Sequence, residues 1–151
     1  MPSRTLPDAV LRTRVMSSIL IVAVVATLLW LGGLAWLAGT ITAALIAVHE
    51  LATALRGRGF APTLAPGALL ACALPVAAYL DGTLASLVPL FLVAVAASLA
   101  LLMRRPSLDG ALLDWALSLA GAIYVALPLA LFVALRQGEH GLRWLLLALV
   151  C

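Results

Sequence analysis

Val15-Met-Ser-Ser-Ile-Leu-Ile-Val-Ala-Val-Val-Ala-Thr-Leu-Leu-Trp-Leu-Gly-Gly-Leu-Ala-Trp-Leu-Ala-Gly-Thr-Ile-Thr-Ala-Ala-Leu-Ile-Ala-Val-His49 contains no Asp, Glu, Lys or Arg. A helix needs roughly 17–25 residues to cross the hydrocarbon core of a bilayer, so this stretch is too long for one span and long enough for two. Gly32-Gly33, near its middle, provides a tight turn. Span 1 is therefore expected over Val15–Leu31 and span 2 over Leu34–Leu55. Arg4, Arg12 and Arg14 precede span 1, and Ala35 and Ala38 lie nearby, as they would in a secretory signal. The apolar run is longer than a signal core, however, and a second span follows at once, so span 1 is read as retained.

The same pattern continues outward. Phe60-Ala-Pro-Thr-Leu-Ala-Pro66 carries two prolines and reads as a lead-in loop to span 3, Gly67–Leu80, with Pro75 inside it as a source of a kink. Asp81-Gly82 is a turn signal. Span 4 follows over Gly82–Met103 and contains Pro89; Arg104-Arg105-Pro106 ends it, and Ser107–Gly110 forms a polar turn. Span 5 runs over Trp115–Leu135 and contains Pro128. Prolines are tolerated inside spans because neighbouring helices satisfy the carbonyls they free. Arg136–Arg143 is a short polar connector. The last run, Trp144–Cys151, is too short to cross a bilayer and reads as the cut-off start of a sixth span. The expected fold is all-α, a polytopic transmembrane bundle of about five spans. Residues 1–14 form a cytoplasmic N-terminal segment, and residues 15–151 form the N-terminal membrane region of a larger protein.

Composition agrees. Hydrophobic residues make up 66% of the chain, charged residues 10%, and mean hydropathy is +1.22. A soluble domain carries about a quarter charged residues, so a soluble globular fold is excluded. All nine basic residues are Arg, which with abundant Ala and Leu points to a GC-rich bacterial genome. The arginines lie at the edges of apolar runs and not along one exposed face, which excludes a nucleic-acid partner and points to membrane topology. With the N-terminus cytoplasmic, Arg4, Arg12, Arg14, Arg56, Arg58, Arg104 and Arg105 fall inside, and only Arg136 and Arg143 fall outside. The positive-inside rule selects that orientation, in a bacterial inner membrane. Cys72 and Cys151 make neither metal spacing nor a disulfide framework.

A charged side chain at a span centre costs about 2.5–3.5 kcal/mol on insertion scales, so polar residues in or beside spans are the candidates for function. These are Arg14 before span 1, Glu50 toward the cytoplasmic end of span 2, and Asp114 near the cytoplasmic start of span 5. Glu50 is read either as a substrate, proton or ion contact or as the partner of an arginine such as Arg14. Asp114 suits a helix N-terminus, where the macrodipole favours negative charge. His49 has no second metal ligand at helical spacing. The four tryptophans fall mostly near span ends, as interface anchors do. Small residues are expected on packing faces: Ala116 and Ala120, four apart in span 5, and Ala94, Ala97 and Ala100 along span 4. A Walker phosphate loop needs a Lys, and the chain has none; carboxylates are not clustered for Mg²⁺. No catalytic constellation is visible.

Leu11-Arg-Thr-Arg-Val-Met-Ser-Ser-Ile-Leu20 leads into the first apolar hairpin, and Val48-His-Glu-Leu51 precedes Arg56-Gly-Arg-Gly-Phe60. Gly121-Ala-Ile-Tyr-Val-Ala-Leu-Pro-Leu129 is followed by Leu135-Arg136, a glycine-containing connector and an apolar restart. In order and spacing these segments resemble the N-terminal half of bacterial phosphatidate cytidylyltransferases (CDP-diacylglycerol synthases). The resemblance implies transfer of a cytidylyl group from CTP to phosphatidate, giving CDP-diacylglycerol and pyrophosphate with Mg²⁺ at the cytoplasmic side. The family signature, S-x-x-K-R-x-x-x-x-K-D followed by H-G-G-x-x-D-R-x-D, belongs to the C-terminal half and is not among these residues, so no catalytic residue and no Mg²⁺ ligand carries over. Arg14, Arg56 and Arg58 set topology and lie where anionic phosphatidate would approach. The implied partners are phosphatidate and CTP, with a homo-oligomer left open. Two other readings fit the composition: a transporter using Glu50 as a coupling group, and an accessory or structural membrane subunit.

Overall fold

Once every backbone polar group must be satisfied inside the segment, apolar runs of this length fold as helices. The computed structural model describes residues 7–81, 83–103 and 110–150, and all its regular structure is helical among those residues. The helices are α1 (Pro7–Leu31), α2 (Gly33–Arg56), α3 (Leu64–Asp81), α4 (Leu84–Met103), α5 (Ala111–Gln137) and α6 (Gly141–Val150). Four are long and apolar enough to cross a membrane: α1 from Arg14, α2, α3 and α5. In α4 the apolar stretch is the shorter Leu87–Met103. The expected spans 1 to 5 correspond to α1 to α5, and the restart after the polar connector is α6.

Several boundaries move. α1 begins at Pro7, inside the segment expected to precede the membrane, and α3 begins at Leu64, so Ala65 and Pro66 belong to its first turn instead of the lead-in loop. Proline is at home in a first turn because the N–H it lacks has no intrahelical acceptor there. α5 starts at Ala111, four residues before the expected Trp115. Arg4, Gly82, Arg104, Arg105 and the turn from Ser107 to Asp109 lie outside the described residues.

α3 is the centre of the bundle. It packs on α5, α2 and α4, while α1 packs mainly on α2 and α6 on α5. Leu70, Leu74, Pro75 and Ala78 of α3 are buried together with Ala122, Ala126, Ala130 and Val133 of α5; Ala71 is buried beside Ala44 and Val48 of α2. Without a hydrophobic force between helices in lipid, close approach of small residues is what builds such contacts. The α5 stripe is therefore Ala122-Ala126-Ala130. Ala116 and Ala120, expected to pack, are exposed, because two residues turn the helix by about 200°. Ala97 and Ala100 of α4 are exposed as well, and only Ala94 of that trio packs against the core.

Two glycines open space for α2. A Cβ at Gly67 would lie 2.8 Å from Val48 Cγ1, and one at Gly121 would collide with Leu51. The α1–α2 turn is Gly32, at φ +62° and ψ −159°, with Gly33 at φ +50°. That first combination is essentially restricted to glycine. Arg136, at the end of α5, holds the turn: its Nε donates to Leu29 O at 3.3 Å, and Gln137 Nε2 donates to Tyr79 O at 2.6 Å. The last carbonyls of α1 and α3, which have no intrahelical donor, are thus met by consecutive side chains of α5.

Candidate functional site

The end of the bundle where α2 finishes and α3 and α5 begin gathers the expected cytoplasmic residues. α2 closes through Gly57 N–H to Thr53 O (3.1 Å), Arg58 N–H to Leu55 O (3.0 Å) and Phe60 N–H to Leu55 O (3.2 Å). Gly59, at φ +88°, supplies the left-handed step that such a helix end requires. The chain then runs without regular structure over residues 60–63 to α3, and backbone N–H groups there need partners from elsewhere.

α5 supplies them. Ala61 N–H donates to Asp114 Oδ1 at 2.9 Å, and Thr63 N–H donates to Ser118 Oγ at 3.0 Å. The Ser118 hydroxyl in turn donates to Asp114 O at 2.6 Å. One turn of α5 therefore ties the α2–α3 connection down at two points. The neighbouring residue, Trp115, is half-buried and reaches the other way: its Nε1 donates to Ser98 Oγ of α4 at 3.0 Å, and Ser98 donates to Val95 O at 2.8 Å. Asp114, Trp115 and Ser118 together join α5 to the α2–α3 connection and to α4.

Of the three candidates, this cluster includes only Asp114. It is half-buried in the first turn of α5, where the helix dipole favours its charge, and it accepts a loop N–H besides. Glu50 is exposed on α2, adjacent to the Leu51 that packs against Gly121. Asp114 lies seven residues before Gly121, about 10 Å along the α5 axis, so the two carboxylates sit at different levels. Arg14 is exposed on α1, and among the described residues no ion pair joins it to Glu50. His49 is exposed, and its carbonyl accepts from the Thr53 hydroxyl at 2.9 Å. Sequence reasoning missed Ser118 and Ser98. The recoverable signal was the i, i+4 pair of Asp114 and Ser118, which places both on one face.

Of the tryptophans, Trp30 and Trp144 are exposed near helix ends, as anchors are, but Trp36 is buried within the bundle and Trp115 is committed to Ser98. Among the described residues no group of three or more His, Cys, Asp or Glu is placed to hold a metal ion. The residues described do not fit a Mg²⁺ site, since Glu50 stands apart, Asp114 serves the loop, and Asp81 accepts from the Thr83 hydroxyl at 2.7 Å. What this end can do chemically is hold three helices and a connection in fixed register, with Arg56 and Arg58 exposed beside them.

A model of the cytidylyltransferase family matches residues 12–151. No curated protein and no solved structure matches the chain.

Proposed function

The chain belongs to the cytidylyltransferase family, and from that premise we propose that it forms the membrane scaffold of a phosphatidate cytidylyltransferase. The reaction is attack of the phosphatidate phosphate on the α-phosphorus of CTP, giving CDP-diacylglycerol and releasing pyrophosphate. The single observation carrying this reading is the family match over nearly the whole helical array, from α1 to α6. Transfer between two polyanions needs clustered cations and carboxylates, and among the described residues no group of three or more His, Cys, Asp or Glu is placed to hold a metal ion. We assign the reacting groups and the Mg²⁺ ligands to the family's S-x-x-K-R and H-G-G signature, which residues 1–151 do not contain. Their chemistry when metal is bound is charge neutralisation on the phosphates.

The part played by these residues is positional. α3 and α5 pack through small side chains, and Asp114 and Ser118 fix the connection between α2 and α3 at the end that carries Arg56 and Arg58. With that end in the cytosol of a bacterial cell, the two arginines lie at the headgroup level where they attract anionic phosphatidate.

The test is enzymatic. Protein expressed from the complete reading frame should release pyrophosphate from CTP in the presence of phosphatidate and Mg²⁺, whereas residues 1–151 alone should release none. Release that needs a different lipid phosphate or alcohol acceptor would refute the substrate, and turnover by residues 1–151 would refute the scaffold assignment. Glu50→Gln in the complete protein should keep most of the rate; loss of a transported solute from vesicles on that substitution would instead identify a transporter.

A further inference from the structure

At the end of the bundle opposite Arg56, the last two turns of α5, the connector after it and the start of α6 form an open groove of about 690 Å³. Leu131, Phe132, Leu135, Glu139, His140 and Trp144 line it. The lining is graded along its length. Leu131, Phe132 and Leu135 belong to the apolar part of α5, a helix long enough to span a bilayer, and present a side free of charge over about 9 Å of helix axis. Glu139 and His140 follow the helix end, at the level of the interface. Trp144, 58% exposed on α6, stands at that same level.

Charge decides what can occupy it. Among the described residues the Glu139 carboxylate makes no hydrogen bond and no ion pair. The cations of this end do not serve it: Arg136 donates to Leu29 O, and Arg143 is exposed on α6 outside the lining. The His140 imidazole also makes no hydrogen bond among the described residues; only its carbonyl is used, accepting from the N–H groups of Arg143 and Trp144 at 3.0 and 3.1 Å. An apolar helix face laid into the groove would strip water from Glu139 and leave its charge unmatched, which is strongly unfavourable. The occupant that fits brings apolar length to Leu131 and Leu135 and a cation to Glu139. The Trp144 indole, lining the same groove, adds the attraction of an aromatic face for that cation.

We propose that this groove binds a phospholipid with a primary ammonium headgroup, the ammonium at Glu139 and one acyl chain along Leu131 and Leu135. A primary ammonium donates up to three hydrogen bonds, to a carboxylate among other acceptors, whereas a trimethylated one donates none. The His140 imidazole can donate to the phosphate of the same headgroup, so the two side chains together match a zwitterion. The site lies at the opposite end of α5 from Asp114 and does not rest on the proposed enzymatic activity.

The full chain, purified in nonionic detergent, is titrated with radiolabelled phosphatidylethanolamine, phosphatidylcholine and phosphatidylglycerol of the same acyl chains. Saturable binding of phosphatidylethanolamine is expected, with phosphatidylglycerol, which has no headgroup cation, at least about tenfold weaker, and phosphatidylcholine between the two. Glu139→Gln should weaken phosphatidylethanolamine about tenfold, as for a hydrogen bond to a charged group. Trp144→Leu keeps an apolar wall and removes the aromatic face, and should cost about threefold. Asp81→Asn, which changes an exposed carboxylate of the same end outside the groove, should bind like the wild type. Glu139 and Trp144 are both exposed, so both variants should keep the wild-type melting temperature. Glu139→Lys reverses the charge and should turn the preference toward phosphatidylglycerol. Equal affinity for the three lipids, unchanged affinity in Glu139→Gln, or no saturable binding, as when another protein surface fills the groove, would overturn the proposal.

Discussion

Asp114 and Ser118 stand one helical turn apart on α5, and each takes a backbone N–H from the connection between α2 and α3. Asp114 was legible as a candidate because a carboxylate is expensive near a span, but its role was not. Its partner, Ala61, is 53 positions away in the chain, and nothing in either local sequence announces the pairing. Asp114→Ala leaves the Ala61 N–H unmet and should cost about 1 kcal/mol, less than for a fully buried pair because water can substitute. Asp114→Asn retains an acceptor oxygen and should cost under half of that. Melting curves in detergent together with limited proteolysis within residues 57–63 separate the two; equal, unaltered cleavage in both variants would show that the bond restrains nothing. Gly32 makes a second residue-scale prediction. Its backbone angles exclude a side chain, while the guanidinium end of Arg136 would only have to swing aside, so Gly32→Ala should destabilise by about 1–3 kcal/mol through the backbone. A melting temperature matching that of the wild type would contradict the turn geometry.

At the scale of elements, the alternation of apolar runs with Gly-Gly, proline-rich and Arg-containing breaks was enough to place five helices and the start of a sixth. The faces were not legible. Ala116-Ala120 and Ala122-Ala126-Ala130 have the same spacing, and only the position of α3 decides that the second set packs. In a soluble helix polarity would have marked the buried side; here both sides are apolar, so periodicity carries no such signal. Trp36 was misplaced for the same reason, as an apolar ring near a span end that turns inward. The glycines facing α2 test the packing. Val48 is β-branched and stiff in a helix, so Gly67→Ala should cost about 1–3 kcal/mol through overpacking, and Val48→Ala should recover most of that loss in a double-mutant cycle. Gly121→Ala meets a leucine methyl that can rotate away, and should be milder. A larger loss at Gly121 than at Gly67, or additive effects of Gly67→Ala and Val48→Ala, would mean that α2 and α3 do not meet as described.

For the whole molecule, charge and helix geometry divide the bundle into two ends. One carries Arg56, Arg58 and the Asp114 strap; the other carries the Gly32 turn, Arg136 and the end of α3. Four helices long enough to span a bilayer connect them, and the family match extends over all six. In the proposed orientation, which follows the positive-inside rule, the first end faces the cytosol, the side on which the enzyme reading needs CTP. The family itself was legible only through resemblance, because among the described residues no group of acids, His or Cys is placed to hold a metal. The most direct test of the account is the sidedness of its two ends. Single cysteines at positions 57 and 138, in a chain with Cys72 and Cys151 replaced by serine, are labelled in intact cells with a membrane-impermeant maleimide. The account predicts labelling at position 138, with position 57 protected until the membrane is opened; equal labelling at both positions in intact cells, or protection of 138 with labelling of 57, would contradict it.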